Sequence, residues 1–389
     1  MHPKDTVPSV KKTQKSINSV DNVVTIGVAS TVTGCGEEPF QDGAAVLKYS
    51  LDQHSAANPE SGNNSKYHYK MYILYHPDAA PCVLPLQKLG YTLLERPPPV
   101  AVEDIRGEEL RERIKELIKL EAYRLVEHTI IIHLDLDVLI LKPMDNVIDF
   151  MLDPTTFRDE NKKLAIHNNN LPIMWPNKEI PDDVQLMFTK DYNIVAPKRQ
   201  DKPYQGGFFM IKPSIDVYNE FVEIVRAGDY HIKGGWGKKV GPFYGGMTIQ
   251  GLLPWYYEHL HPGHAVELNR CAYNNMSDKP KLERKNGTER CRTNEETCED
   301  CRKRPKQHIT TFHFTICQKP WSCLEYKKQN DNFKLCREMN HEWYVYRSRL
   351  EQSWGRSGHG DGEMKAEHYF GNCRRTGLQG YVPMEFPGK

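Results

Sequence analysis

What is missing from this chain narrows it first. Its longest unbroken apolar runs, such as Thr129 to Ile132 and Val138 to Leu141, fall far short of the ~20 residues a membrane-spanning helix needs. A charge excess of either sign is also absent: Lys+Arg 52 against Asp+Glu 51 leaves +1. No global field therefore draws the protein to nucleic acid or to an acidic membrane, and any anion must be recognised locally. Low complexity is missing as well. Over 389 residues, 39% hydrophobic, 10% aromatic and 26% charged residues are the balance of a folded globular protein rather than a disordered or collagen-like one. The length suits one enlarged domain or two. Residues 1–20 are polar and basic without an apolar core, so they read as a flexible stem rather than a signal peptide. Any membrane attachment would need an anchor that this sequence lacks.

Cysteine is plentiful and unevenly placed. Cys35 and Cys82 lie early, and eight more fall between Cys271 and Cys373, a concentration that reads as disulfide staples. The alternative is a zinc site around Cys298 and Cys301, which lacks a second ligand pair at matching spacing. Three Asn-X-Ser/Thr sequons, at Asn63, Asn275 and Asn286, add to the case for the lumen of the secretory pathway over the cytoplasm.

Strand-like and helix-like segments alternate, which predicts a mainly parallel α/β sheet. Val23 to Ala29, Tyr67 to Tyr75, Gly90 to Leu94, Thr129 to Leu134, Gly206 to Ile211 and His308 to Ile316 read as strands. Gly43 to Leu51, Glu108 to Val126 and Ile215 to Arg226 read as helices. Residues 167–204 read as an Asn/Pro-rich insertion, 278–306 as a solvated charged insertion, and 326–389 as a C-terminal extension to a domain spanning 21–325.

Chemistry concentrates at HLDLDVLILKPMD. Asp135 and Asp137 end an apolar strand and are separated by one residue, and in an extended segment such positions share a face. Two carboxylates at one point repel unless a cation lies between them. Oxygen ligands at the C-terminal edge of an open α/β sheet suit Mn²⁺ or Mg²⁺ carrying a diphosphate. A turn-capping pair of aspartates is the structural alternative.

The surrounding motifs resemble the glycogenin-like glycosyltransferases of family 8. The resemblance runs over residues 23 to 322 in the ordered segments VVTIGVAS, IKLEAYRL, HLDLDVLILKPMD, QGGFFMIKPS, YGGMTIQGLLP and FHFTICQKPW. It implies a GT-A fold and transfer of a sugar from a UDP-sugar to an acceptor hydroxyl, with retention of configuration; the lumen expected from the cysteines and sequons would then be that of the Golgi. It also implies Mn²⁺ held by Asp135, Asp137 and His313, and a diphosphate contacted by Lys319. Val28, Ala29, Ser30, Lys119, Leu136, Gln205, Gly207 and Gly251 would lie along the bound nucleotide-sugar, and Gln250 would line the anomeric centre. Where the family commonly has Asp-Gln-Gly this chain has Ile249-Gln250-Gly251, so a carboxylate for sugar hydroxyls is missing, and Asp191 is the candidate to supply it. Trp255, Tyr256 and Tyr257 would either stack an acceptor sugar or fill the core. Two other readings stay open: a non-catalytic binder of nucleotide-sugar or glycan, which the missing Asp would suit, and a nucleotide-sugar hydrolase.

Overall fold

The structure, a computed structural model, describes residues 23–36, 39–58, 65–157, 180–194, 202–280, 282–285, 287–291, 298–323, 330–356 and 380–387. The expected stem, Asn63, Asn286 and Cys373 lie outside these residues. The fold is mixed α/β: seven strands form a mostly parallel central sheet with helices on both faces.

The first half builds parallel pairs. β1 (Thr25–Val32), α1 (Phe40–Asp52), β2 (His68–Tyr75), β3 (Thr92–Glu95) and β4 (Ile131–Leu134) follow in order. β1 lies between β2 and β4, parallel to both. Apolar residues run almost without interruption along β1 and β4, as suits strands covered on both faces of the sheet. Ile26 and Val28 enter one core layer and Ala29 the other.

The second half reverses direction once. β6 (Leu186–Lys190) and β7 (Tyr204–Ile211) pair antiparallel, β7 pairs antiparallel with β4, and β10 (Ala265–Glu267) closes the edge parallel to β6. The strand order is β10-β6-β7-β4-β1-β2-β3. Between β4 and β6, β5 (Val138–Ile140) leads into α2 (Asp145–Leu152). After β7, α3 (Ile215–Ala227) starts where the Ser214 hydroxyl accepts from Val217 N at 3.3 Å, which satisfies one of the unpaired donors of a helix start. Two strand pairs, β8 (Tyr230–His231) with β9 (Gly235–Trp236) and β11 (Leu282–Lys285) with β12 (Thr288–Cys291), stand apart from the sheet. α4 (Ile249–Pro254) covers β7, and β13 (Thr311–His313) pairs antiparallel with β5.

Three segments differ from expectation. Glu108–Arg124 winds as 3₁₀ turns rather than an α-helix. The apolar face expected of it is buried all the same, at Leu110, Ile114, Leu117 and Ile118. β6 lies inside the stretch read as an insertion. The tail contains a 20-residue helix, α5 (Lys334–Ser353), which packs on α1 around Trp321, Met339, Trp343 and Tyr344. Arg347 of α5 is fully buried against Asp42 of α1, and the Tyr381 hydroxyl donates to Asp42 at 2.6 Å. That pairing brings residues 380–387 onto the same core.

Four disulfides lie within the described residues: Cys35–Cys82, Cys271–Cys301, Cys291–Cys298 and Cys317–Cys336. With Cys298 and Cys301 each committed to a disulfide, the zinc alternative is excluded. The Asn275 sequon reading is also corrected. Asn275 is wholly buried, and its amide donates to the carbonyls of Cys271 at 2.8 Å and Cys301 at 3.3 Å, so this fold has no room for a glycan on it.

Candidate active site

β4 delivers Asp135 to the edge where β1, β2 and β4 all end. The chain does not stay extended there: Val138 N donates to the Asp135 carbonyl at 3.2 Å, closing a turn around Leu136. The two carboxylates converge through that turn rather than through strand alternation. β5 then pairs with β13 in a register that sets His313 opposite Val138, and Phe314 N donates to the Asp137 carbonyl at 3.0 Å. One oxygen each from Asp135 and Asp137 and one nitrogen from His313 thus lie within 4.8 Å of one another.

Hydrogen bonds define how the imidazole faces this point. His313 Nδ1 lies 3.0 Å from Asn274 Oδ1, and Asn274 Nδ2 donates to Thr189 Oγ1 at 2.9 Å. An amide oxygen can only accept, so Nδ1 carries the proton and Nε2 faces Asp137 Oδ1, 3.2 Å away. Burial alone would keep Asp137 protonated, yet the adjacent His313 and Lys319 hold its carboxyl well below the usual range. Burial opposes charge on His313 too, but Asp137 outweighs it and raises the imidazole. Nε2 and the carboxylates therefore need a positive charge between them, either a proton on the ring or a cation in its place.

Two lysines border the carboxylates. Lys119 donates to Asp135 Oδ1 at 2.7 Å and to the Gly206 carbonyl at 2.8 Å, so it faces the site rather than solvent. Lys319 Nζ stands 3.4 Å from Asp137 Oδ2 and is partly exposed. Gly207 forms the floor: a Cβ on it would lie 2.4 Å from His313 Cε1 and 2.9 Å from Asp135 Oδ2, so no larger residue fits this cradle. Gln205 turns its side-chain oxygen back to accept from Gly207 N.

The expected donor-site residues divide into groups. Val28, Ala29 and Ser30 are all fully buried in β1, and of the three only Ser30 carries a polar side-chain atom, a hydroxyl with no hydrogen-bond partner. Leu136 sits in the carboxylate turn, its carbonyl against Gly43 of α1. Gln250 opens α4 beside Gly206 and donates to the Tyr244 carbonyl at 3.4 Å. Gly245, at φ +73°, takes the backbone region L side chains avoid, and a Cβ there would meet Gln250 Nε2 at 2.9 Å. Gly251 lies against the Gly246 carbonyl, which holds the 243–246 loop on the start of α4.

Asp191 follows β6 on the same sheet edge, where its N–H donates to the Pro203 carbonyl at 2.9 Å. Its carboxylate accepts from Asn193 N at 2.9 Å and Asn193 Nδ2 at 3.1 Å, the geometry of a local turn. Tyr256 and Tyr257 are buried in the core, which takes them out of acceptor stacking. Tyr244 is the aromatic that projects at the loop beside Gln250, with 80% of its surface exposed. Neither Tyr244 nor Asn274 was singled out from the sequence. Asn274 carried a signal, since it stands beside the Asn275 sequon, but that signal pointed to glycosylation.

No family model matches the chain, and no curated protein matches it. Among solved structures, galactosyltransferase LgtC in complex with donor and acceptor sugar analogs is similar at 12% identity and TM-score 0.42, over 85% of this chain and 99% of that one. Mouse xyloside xylosyltransferase 1 in its apo form is similar at 12% identity and TM-score 0.41, over 76% and 99%. The glycosyltransferase GlyE of Streptococcus pneumoniae TIGR4 is similar at 11% identity and TM-score 0.42, over 85% and 63%. At such identities the likeness concerns the course of the chain alone.

Proposed function

We propose that this protein is a GT-A-type glycosyltransferase, dependent on a divalent cation, that moves a sugar from a UDP-sugar to an acceptor hydroxyl. The observation that carries the reading is the convergence of Asp135, Asp137 and His313 within 4.8 Å at the sheet edge where the parallel strands end. The donor set fits the group: two carboxylate oxygens and a tautomer-fixed imidazole nitrogen form a mixed O/N set that suits Mn²⁺ and tolerates Mg²⁺. A cation held by them would neutralise the diphosphate as it leaves.

The remaining roles belong to the chain's own side chains. Lys319, beside Asp137 and open to solvent, is placed to meet a phosphate oxygen and stabilise developing negative charge. Lys119 holds Asp135 in position and adds positive charge on the opposite side. Val28, Ala29 and Ser30, wholly buried in β1, would define the strand beside which the uridine end rests rather than touch it with their side chains, and Leu136 would border it from the carboxylate turn. Gln205, Gly207, Gln250 and Gly251 bound the sugar end, with Gln250 at the anomeric carbon. Retention of configuration is part of the proposal and rests on the resemblance of the sequence motifs alone, with same-face attack assisted by the leaving phosphate.

The test is Mn²⁺-dependent UDP release from a panel of UDP-sugars, with and without mixed glycan acceptors. Asp137→Asn and His313→Ala are expected to lower turnover by several orders of magnitude while retaining the native melting profile. Near-normal turnover of either variant at saturating Mn²⁺ would remove the metal assignment. Equal UDP release with and without every acceptor would identify a hydrolase instead.

A further inference from the structure

One stretch of this chain has no acidic residue. The whole sequence balances 51 Asp and Glu against 52 Lys and Arg, yet between Tyr230 and Tyr257 there are three lysines, Lys233, Lys238 and Lys239, and no carboxylate. That stretch holds the β8–β9 hairpin, the 243–246 loop and the start of α4 with Gln250. Positive charge therefore collects beside the sugar end of the proposed site. All three lysines are exposed, and among the described residues none of them has an ion-pair partner. The acids that flank the hairpin face other groups: Asp229 lies 2.9 Å from His231, and Glu109 accepts from Ile232 N at 2.8 Å.

The hairpin and the loop are fastened together. Trp236 of β9 is wholly buried, and its indole Nε1 donates to the Gly246 carbonyl at 2.9 Å. Thr248 Oγ1 donates to the Gly245 carbonyl at 2.7 Å, and Gln250 Nε2 to the Tyr244 carbonyl at 3.4 Å. The turn after β9 closes as Lys239 N donates to the Trp236 carbonyl and Trp236 N to the Val240 carbonyl, each at 2.9 Å. Within this turn Lys238 adopts φ +57°. The left-handed region disfavours a side chain where glycine would enter freely, so the turn's backbone gives no reason for a lysine there. Two rings accompany the lysines. Lys239 Nζ stands 5.9 Å from the centre of the Trp255 ring, and Tyr244 leaves 80% of its surface to solvent on a loop whose main chain is pinned on both sides.

The chemistry of the occupant follows. An exposed phenol ring offers its face to the C–H side of a pyranose, and unpaired ammonium groups on the adjoining turn favour a sugar that carries carboxylate or sulfate. A nucleic acid also stacks and is also anionic, but it needs a basic groove of greater extent than three lysines on a chain of net charge +1. We propose that the acceptor is an anionic glycan, whose terminal sugar lies on Tyr244 with its carboxylate or sulfate towards Lys238 and Lys239. This rests on the transferase reading, since it names the acceptor of that same site.

Saturation-transfer NMR on the full chain with UDP and Mg²⁺ tests it, because it reads binding without turnover. The probes are two pairs of methyl glycosides: glucuronic acid against glucose, which isolates the carboxylate, and sulfated galactose against galactose, which isolates the sulfate. In at least one pair the anionic probe is expected to bind about fivefold more tightly than its neutral parent. The double variant Lys238→Gln/Lys239→Gln should abolish that advantage. Tyr244→Ala should weaken the same probe about tenfold, and Tyr244→Phe should restore it. All three side chains are exposed, melting curves establish that the variants are folded, and either folded variant suffices. The proposal is overturned if no probe binds, if anionic and neutral probes bind alike, if a folded Lys238→Gln/Lys239→Gln or Tyr244→Ala protein binds as the wild type does, or if a short single-stranded oligonucleotide binds more tightly than the glycosides. Binding of an anionic probe by a protein that transfers no sugar from any UDP-sugar would keep this surface and remove the transferase reading. Transfer to neutral acceptors alone would do the reverse.

Discussion

Ile249 stands where a sugar-binding carboxylate was expected, and its side chain is spoken for. It is 2% exposed, packed in the core beneath Gly206, where a Cβ on that glycine would come 3.1 Å from its methyl. Ile249→Asp would therefore bury a charge rather than restore a sugar contact. Asp191 is the carboxylate we propose in its place, and Asp191→Asn is expected to change the kcat/KM ranking among UDP-sugars; an unchanged ranking means that Asp191 serves only its turn. Asn274 offers a sharper test at this scale. It adopts φ +70°, a region Asn tolerates better than most residues, and its oxygen fixes the His313 tautomer. Asn274→Ala should raise the Mn²⁺ concentration for half-maximal UDP release by about 10–100-fold, whereas Asn274→Asp, which keeps the acceptor, should move it less. Identical Mn²⁺ curves for Asn274→Ala and wild type would show that the ring is held by its strand alone.

Secondary structure carries its own lesson about what a sequence displays. β1, β2, β4 and β7 were legible because apolar, β-branched runs are what a sheet buried on both faces requires. His313 was legible only through the motif that contains it; as one residue on a short strand, it gives no sign that β5 will pair beside it. β6 was hidden because LMFTK is short and lies among Asn, Pro and charge. α5 was hidden because its mean hydropathy is low, and its buried Arg347 and Glu351 read as surface until Asp42 and Tyr381 close around them. The α1–α5 contact also has a pH signature. His54, just after α1, sits 3.5 Å from the Tyr346 hydroxyl, and burial lowers its imidazole to about 4. The unfolded chain takes up that proton below about 6.5, the folded chain not until about 4. The stability that neutral His54 confers is thus complete above about 6.5 and drains away as pH falls towards 4. The melting temperature should drop across that window, and less so in His54→Gln. Parallel curves for the two proteins would show that other groups govern the acid limb.

At the scale of the whole molecule, the disulfides tie the remote cysteine-rich segment to the chemistry. Cys271–Cys301 brackets Asn275, whose main chain accepts from His313 N at 2.9 Å and donates to the Thr311 carbonyl at 3.0 Å. The staple thus fixes the strip of backbone that carries Asn274 and holds β13 in place. Closing the loop between Cys271 and Cys301 constrains the unfolded chain by ~3 kcal/mol or more, and losing it frees Asn274 and His313 together. Disulfides of this kind persist in oxidising compartments, which is consistent with a lumenal or secreted protein; the lumen of the secretory pathway, and the Golgi within it, is our proposal. Among the described residues there is no free cysteine and no helix long and apolar enough to cross a membrane. Made through a secretory pathway, the protein should titrate with few free thiols when denatured without reductant. It should carry N-glycans at Asn63 or Asn286 and none at the buried Asn275, as read by peptide mass mapping after enzymatic deglycosylation. Mild reduction should lower Mn²⁺-dependent turnover before it unfolds the sheet, because the His313 support gives way first. Nearly ten free thiols, or a glycan on Asn275, would refute the compartment in the first case and the burial of the 271–275 segment in the second.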